Sequence, residues 1–261
     1  MFATETPSSH EGGGVAVECD LVASATAAVS AAQVPHLREP ILAAFSERLS
    51  NALLKQADDQ SLLALAAFGD LLGRQPTYRA GPVAWGLVAA PRTPGRKRVA
   101  DALPKFKEAG AWSVSPHIIP HSTLHSLSGL LSQALGLYGP NIGTGGLPGS
   151  EGEALTIAAA WLAAEDLPGV WVVLTGWERE TMVDAAATCQ AVVLGLAPAR
   201  AAHGAFPRLI ISPDDNLVAR LPRFNLEGLR AALESSGPGS WRLGEVGALH
   251  LRAAPVREVA A

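Results

Sequence analysis

Three sets of residues in this sequence are of types that do chemistry. His117, His121 and His125 recur every four residues, a spacing that would line them up as metal ligands on one unbroken helix. Pro116 and Pro120 interrupt that segment, so only His121 and His125 are expected to share a face. No Glu completes an HExxH pattern, and no metal is expected. The glycine-rich stretch 143–152, GTGGLPGSEG, runs from an expected strand end into a helix start, where free backbone N–H groups could hold an anion. It lacks the closing Gly-Lys-Ser/Thr of a phosphate loop and the ribose-binding acid of a dinucleotide fingerprint. Its glycines are therefore expected to permit close backbone packing, and no cofactor is expected. Ser150 would stand at that turn as a nucleophile, but Pro148 occupies the place of the first Gly in a GxSxG elbow. An acyl hydrolase or acyltransferase using Ser150 with His121 or His125 is the catalytic alternative that these residues leave open. His203 and His250 stand alone and read as structural.

The composition bounds the classes of partner. The chain has 261 residues, 20 Lys and Arg against 24 Asp and Glu, and a formal net charge of −4, which argues against binding nucleic acid or an anionic surface through bulk charge. The one basic run, RTPGRKR at 92–98, reads as a solvated loop, with a docking patch for an acidic partner as the sharper alternative. Charged residues make up 17% of the chain, below the roughly 25% of an average soluble domain, which points either to an exterior partly covered by another subunit or to an Ala- and Gly-rich composition that lowers the charge fraction with no partner at all. Cys19 and Cys189 form neither a disulfide framework nor a CxxC site, and a reducing cytoplasm is the expected compartment. No segment offers the roughly 18 apolar residues that a membrane helix requires.

The elements that must carry these residues follow from periodicity. Residues 1–35 are expected to form a disordered tail and 36–261 a single domain. Helices are expected at 37–55, at 58–72 with Asp58 or Asp59 as its cap, at 99–109 around an internal Pro, at 122–137, at 151–166 and at 226–235. Apolar runs at 82–90, 169–178, 189–196 and 208–212 read as strands, with a last strand or hairpin at 241–252. This alternation predicts an α/β layered domain with helices packed on a mixed, mostly parallel sheet.

The order of motifs resembles a known family. DDQSLLALAAFGDLL at 58–72, the strand at 83–90, the helix at 99–109 and SVSPHIIPHSTLHSLSGLLSQALGLYGPN at 113–141 are similar to the N-terminal half of β-ketoacyl synthases, condensing enzymes of the thiolase-like superfamily. The most specific block is ALGLYGPN, Ala134 to Asn141, and the likeness runs from about Asp58 to about Leu196. The first fifty residues do not match the family's opening strand. Counted from Gly139-Pro140-Asn141, the family's nucleophilic cysteine falls on Pro148, and no segment around His203 or His250 resembles those that carry the family's two catalytic histidines. A chain so altered resembles a chain-length-factor subunit, which implies a catalytic β-ketoacyl synthase as heterodimer partner, or a second copy as homodimer partner, and an acyl carrier protein. It implies a non-catalytic role in type II fatty-acid or polyketide synthesis. By the same resemblance residues 142–146, with Ile142 and Thr144, would pair across the dimer axis, and Leu147, Pro148 and Gly149 would lie beside the partner's acyl tunnel. A homodimeric module that binds acyl or carrier-protein groups is a further alternative.

Overall fold

A computed structural model describes residues 16–80, 83–147, 149–164, 167–179, 186–199, 206–213, 220–244 and 247–254. Eight strands form one sheet: β1 (Val17–Ser30), β2 (Gly86–Pro91), β3 (Asn141–Gly143), β4 (Val170–Trp177), β5 (Thr188–Pro198), β6 (Arg208–Ser212), β7 (Gly239–Arg242) and β8 (Ala248–Arg252). Their order is β3-β2-β4-β5-β1-β6-β8-β7. The sheet is mixed, as the alternation predicts. It is not mostly parallel, since β2 runs parallel to β3 and β4 while the five other pairings are antiparallel.

Helices cover both faces. Against one face pack α1 (Arg38–Phe45), α2 (Asn51–Gln56), α3 (Asp59–Arg74) and α6 (Leu124–Leu135), through Ile41, Phe45, Leu54, Phe68, Leu127 and Leu131. Against the other lie α7 (Glu151–Ala164) and α8 (Leu226–Glu234), through Ala154, Leu155, Ala158 and Leu229. Two short or peripheral helices, α4 (Thr77–Ala80) and α5 (Arg96–Ala109), complete the described set. β2 shows how the sequence encodes the sandwich. Its six residues are all buried, with Leu87 and Ala89 in the first core and Val88 and Ala90 in the second, so a continuous apolar run serves two cores. On β4, Trp171 does the same for the first core, edge-on to Phe68 with ring centroids 5.1 Å apart.

The opening segment departs most from expectation. Residues 17–30 are no tail: they form β1, paired to β5 on one side and β6 on the other. Its small residues hide the strand, because Ala and Ser give a weak strand signal even though apolar residues occupy the odd positions from Val17 to Val29. The register slips between Leu21 and Ala23, so Cys19 and Leu21 face the α7 core while Ala23 and Ala25 face the α3 core. One extra residue reverses the facing of every residue beyond it. A second departure is the single helix expected at 37–55, which breaks into α1 and α2. The Ser50 side chain accepts a hydrogen bond from Leu53 N at 3.2 Å and starts α2 as a new helix, since a Ser hydroxyl satisfies an orphan N–H best at an N-cap.

Placing a carboxylate on the inner face of β1 tests its central position. Ala25→Asp leaves an unpaired charge between β5 and α3 and is expected to cost several kcal/mol, enough to lose the folded protein in a denaturant titration. Glu18→Ala on the same strand removes only a partly exposed pair with Arg208 and is expected to cost under about 1 kcal/mol.

Candidate functional site at the start of helix α7

The turn from β3 into α7 holds the candidate residues, and local chemistry fixes its shape. Gly145, Gly146 and Gly149 have φ of +90°, +101° and +89°, values that a side chain strains against. Gly143 and Gly146 lie against Leu124 at the start of α6, where a Cβ on Gly143 would strike the Leu124 carbonyl. Close backbone packing is thus what this stretch does. The turn is stitched to the sheet by Thr144 N to the Ala89 carbonyl at 2.8 Å and by Thr93 N to the Gly146 carbonyl at 3.0 Å. Thr93 itself has φ +49°, an uncommon conformation for a β-branched residue, held beside the site by that bond.

At the first residue of α7 sits Glu151, 1% exposed. Its carboxylate accepts from Arg92 Nε at 2.7 Å and from Gly149 N at 2.8 Å. Arg92 stands at the end of β2 with 14% of its side chain exposed, and its carbonyl accepts from Gln60 Nε2 at 2.7 Å. Gln60 Oε1 in turn accepts from Thr175 Oγ1 of β4 at 2.8 Å. One polar chain therefore joins α3, β2, β4 and α7 inside an apolar interior. The positive end of the α7 dipole already faces a carboxylate that two donors hold in place. The basic run at 92–98 is not simply a solvated loop. Arg92 is buried in this pair, the Arg98 guanidinium donates to the Gln56 carbonyl, and Lys97 bonds Asp101 within α5.

The residues singled out as nucleophile and base are not brought together. Ser150 Oγ donates to the Leu147 carbonyl at 2.5 Å and accepts from Leu147 N at 3.2 Å, closing a local turn. His125 Nδ1 lies 3.0 Å from Ser128 Oγ on its own helix, while His117 and His121 sit with ring centroids 6.4 Å apart in the segment before α6. Burial, Arg98 and His117 all lower the pKa of His121. Among the described residues no hydrogen bond joins Ser150 to a histidine, and no three metal-ligating side chains converge. Burial pushes the Cys19 thiol up to about 12, with Asp20 and Glu18 adding to the rise, and pushes Cys189 well above its ordinary value, so both stay protonated and unreactive. His250 bridges β8 to β7, its Nδ1 2.9 Å from Ser240 Oγ. Pro148 and His203 lie outside the described residues; Leu147, which precedes Pro148 in the chain, is 70% exposed.

Thr144 Oγ1 bonds Glu153 at 3.1 Å, and Ile142 is 38% exposed on β3. β3 is an edge strand. Pro140 and Thr144 bond toward β2, and the alternation of a parallel ladder then turns the backbone groups of Asn141 and Gly143 away from it, to the open side. Beside the turn, a cleft of about 310 Å³ is lined by Asp58, Gln60, Arg92, Thr93 and Trp177. Asp58 caps α3, accepting from Gln60 N at 3.1 Å. Burial, then the neighbouring Asp59, raises its carboxyl from 3.8 to about 6.

In sequence the chain matches no family model and no curated protein. Solved structures do share its architecture. One chain of a ketosynthase in complex with its chain length factor, from Xenorhabdus doucetiae, matches at a TM-score of 0.54 and 14% identity, over 90% of this chain and 99% of that one. The ishigamide ketosynthase/chain length factor matches at 0.52 and 17%, over 84% and 73%. A type II PKS acyl-carrier protein in complex with its ketosynthase bound to the hexaketide matches at 0.51 and 12%, over 78% and 72%. The chain therefore has the fold of ketosynthases and chain length factors, as the motif order from Asp58 to Leu196 implies.

Two substitutions probe the site. Glu151→Ala leaves the Arg92 guanidinium with only the longer 3.8 Å pairing to the partly exposed Glu227 and is expected to cost up to about 3–5 kcal/mol, with the double variant that also carries Arg92→Ala costing less than the two single losses added together in a denaturant-melt cycle. An acid whose folded pKa lies above its unfolded one weakens the fold as pH rises between the two. Stability is thus expected to fall from pH 3.8 towards about 6 on account of Asp58. Asp58→Asn keeps a cap acceptor, so thermal melts at pH 4 and pH 7 should show a smaller decline and a more stable protein at pH 7.

Proposed function

We propose that this chain is a non-catalytic ketosynthase-like subunit that pairs with a catalytic ketosynthase and helps to set the length of the acyl chain built there. The observation that carries this reading is the state of the α7 N-terminus. A condensing enzyme needs a thiolate at that helix start, where the dipole lowers its pKa. Here Glu151 fills the position of negative charge, held by Arg92 and Gly149, and none of His117, His121 and His125 is hydrogen-bonded to Ser150. Pro148, at the position the resemblance gives to the nucleophile, has no thiol. The two cysteines are buried elsewhere, and Ser150 is engaged with Leu147.

A partner is favoured by the edge position of β3, whose three residues carry no charge of the kind that protects edges from pairing. Chains of this fold occur in structures of a ketosynthase with its chain length factor and of a ketosynthase with an acyl-carrier protein. A catalytic ketosynthase and an acyl carrier protein are accordingly the partners proposed, in polyketide or fatty-acid synthesis. Ile142 and Thr144 would lie at the subunit boundary, with Leu147, Pro148 and Gly149 beside the partner's acyl tunnel.

Co-expression with a catalytic, Cys-containing ketosynthase from the same source is expected to give a one-to-one complex by light scattering, and Ile142→Asp is expected to abolish it. A chain that stays alone with that ketosynthase, or one that consumes an acyl thioester and loses this on Ser150→Ala, overturns the reading.

A further inference from the structure

Nine large hydrophobic side chains are exposed among the described residues, and all of them fall between Val83 and Leu147. Four flank the β3 edge: Val83, Tyr138, Ile142 and Leu147, with Tyr138 N bonded to the Val83 carbonyl at 2.8 Å. The other five are Val99, Leu103 and Phe106 on α5, then Trp112 and Ile119 just after it. Helix α5 has an unusual orientation. None of its residues is buried, and the least exposed are Lys97, Arg98, Ala100 and Ala102. Arg98 donates to the Gln56 carbonyl, and Arg98, Asp101 and Lys105 line a cleft against residues 113–118. The apolar stripe Val99, Leu103, Phe106 lies about 130° round the helix from Arg98, Asp101 and Lys105 and is 46%, 60% and 54% exposed. Trp112 is fully exposed and Ile119 is 71% exposed. Such an amphipathic stripe gains nothing from facing water.

We infer that the partner's contact surface extends from β3 across this α5 stripe and the segment carrying Trp112 and Ile119, so that α5 is the main apolar anchor of the subunit interface. The inference rests on the proposed pairing with a ketosynthase and names the surface that makes it stable. Area argues for it. A stable interface takes roughly 800 Å² from each partner. A three-residue strand with Val83, Tyr138, Ile142 and Leu147 beside it falls short of that, since these side chains are only 47%, 87%, 38% and 70% exposed and even a whole large side chain supplies only about 150–250 Å². The two patches are also neighbours. The α5 start is so close to Ser122 that a Cβ on Gly95 would collide with it, and Gly143 of β3 meets Leu124 two residues on. Residues 122–124 thus bridge the two patches.

The test compares three forms of the full chain against the cognate ketosynthase by titration calorimetry. Leu103→Asp combined with Phe106→Asp is expected to weaken binding at least about tenfold with an unchanged melting temperature, because both side chains are exposed in the free chain. Unchanged affinity in that double variant, with Ile142→Asp still abolishing binding, overturns the α5 surface and leaves the pairing intact. No binding by the unaltered chain overturns the pairing and this inference together. A parallel sedimentation with phosphatidylglycerol vesicles decides against a subunit role for the stripe if the unaltered chain pellets and the double variant does not.

Discussion

The pairing of Arg92 with Glu151 is the constraint around which this end of the molecule is built. A carboxylate at 1% exposure and a guanidinium at 14% would each be costly to bury alone, and together they remain only because other groups complete their hydrogen bonds. Gly149 N serves Glu151, and Gln60 takes the Arg92 carbonyl while itself accepting from Thr175. The ends of β2 and β4 and the starts of α3 and α7 are thereby tied at one point. The glycine turn must fold so that Gly149 reaches Glu151, which explains why three positive-φ glycines lie in six residues before the helix.

The same arrangement shapes what the site can do. A helix N-terminus buried against a sheet is a place where negative charge is stabilised, and in this fold that place suits a reactive thiolate. Here the charge is carried by a carboxylate with no path to solvent, and the hydroxyl of Ser150 serves the turn. At the periphery, β3 is a short, uncharged edge strand, and α5 leaves Val99, Leu103 and Phe106 exposed.

Much of the layered core was legible from residue type alone. VAWGLVAA and GVWVVLTGW are long enough for strands, too short for buried helices, and rich in β-branched or aromatic residues. The near-complete burial of α3 followed from apolar residues on all sides between a capping Asp and a basic last turn. β1 was not legible, because the Ala and Ser residues of VECDLVASATAAVS give a weak strand signal, and the bulge that turns its odd-numbered residues from one core to the other leaves no trace in the pattern. Glu151 could be read as a charge suited to a helix dipole, but its mate lies 59 residues earlier and no local pattern links the two. The α5 stripe was visible as a helix around Pro104, yet its spacing reads the same whether the stripe faces in or out.

The sequence by itself determined which segments are helix and strand over most of the chain, because these depend on near-neighbour periodicity, caps and turn residues. Its motif order from Asp58 to Leu196 also pointed to the ketosynthase fold that the solved structures share. Tertiary structure alone decided that β1 lies inside the sheet, that most pairings run antiparallel, that the helix start at α7 is closed by Arg92 and Glu151, and which side of α5 meets water. Each of these depends on groups far apart in the chain arriving at one place, and a local pattern carries no record of what will arrive opposite it.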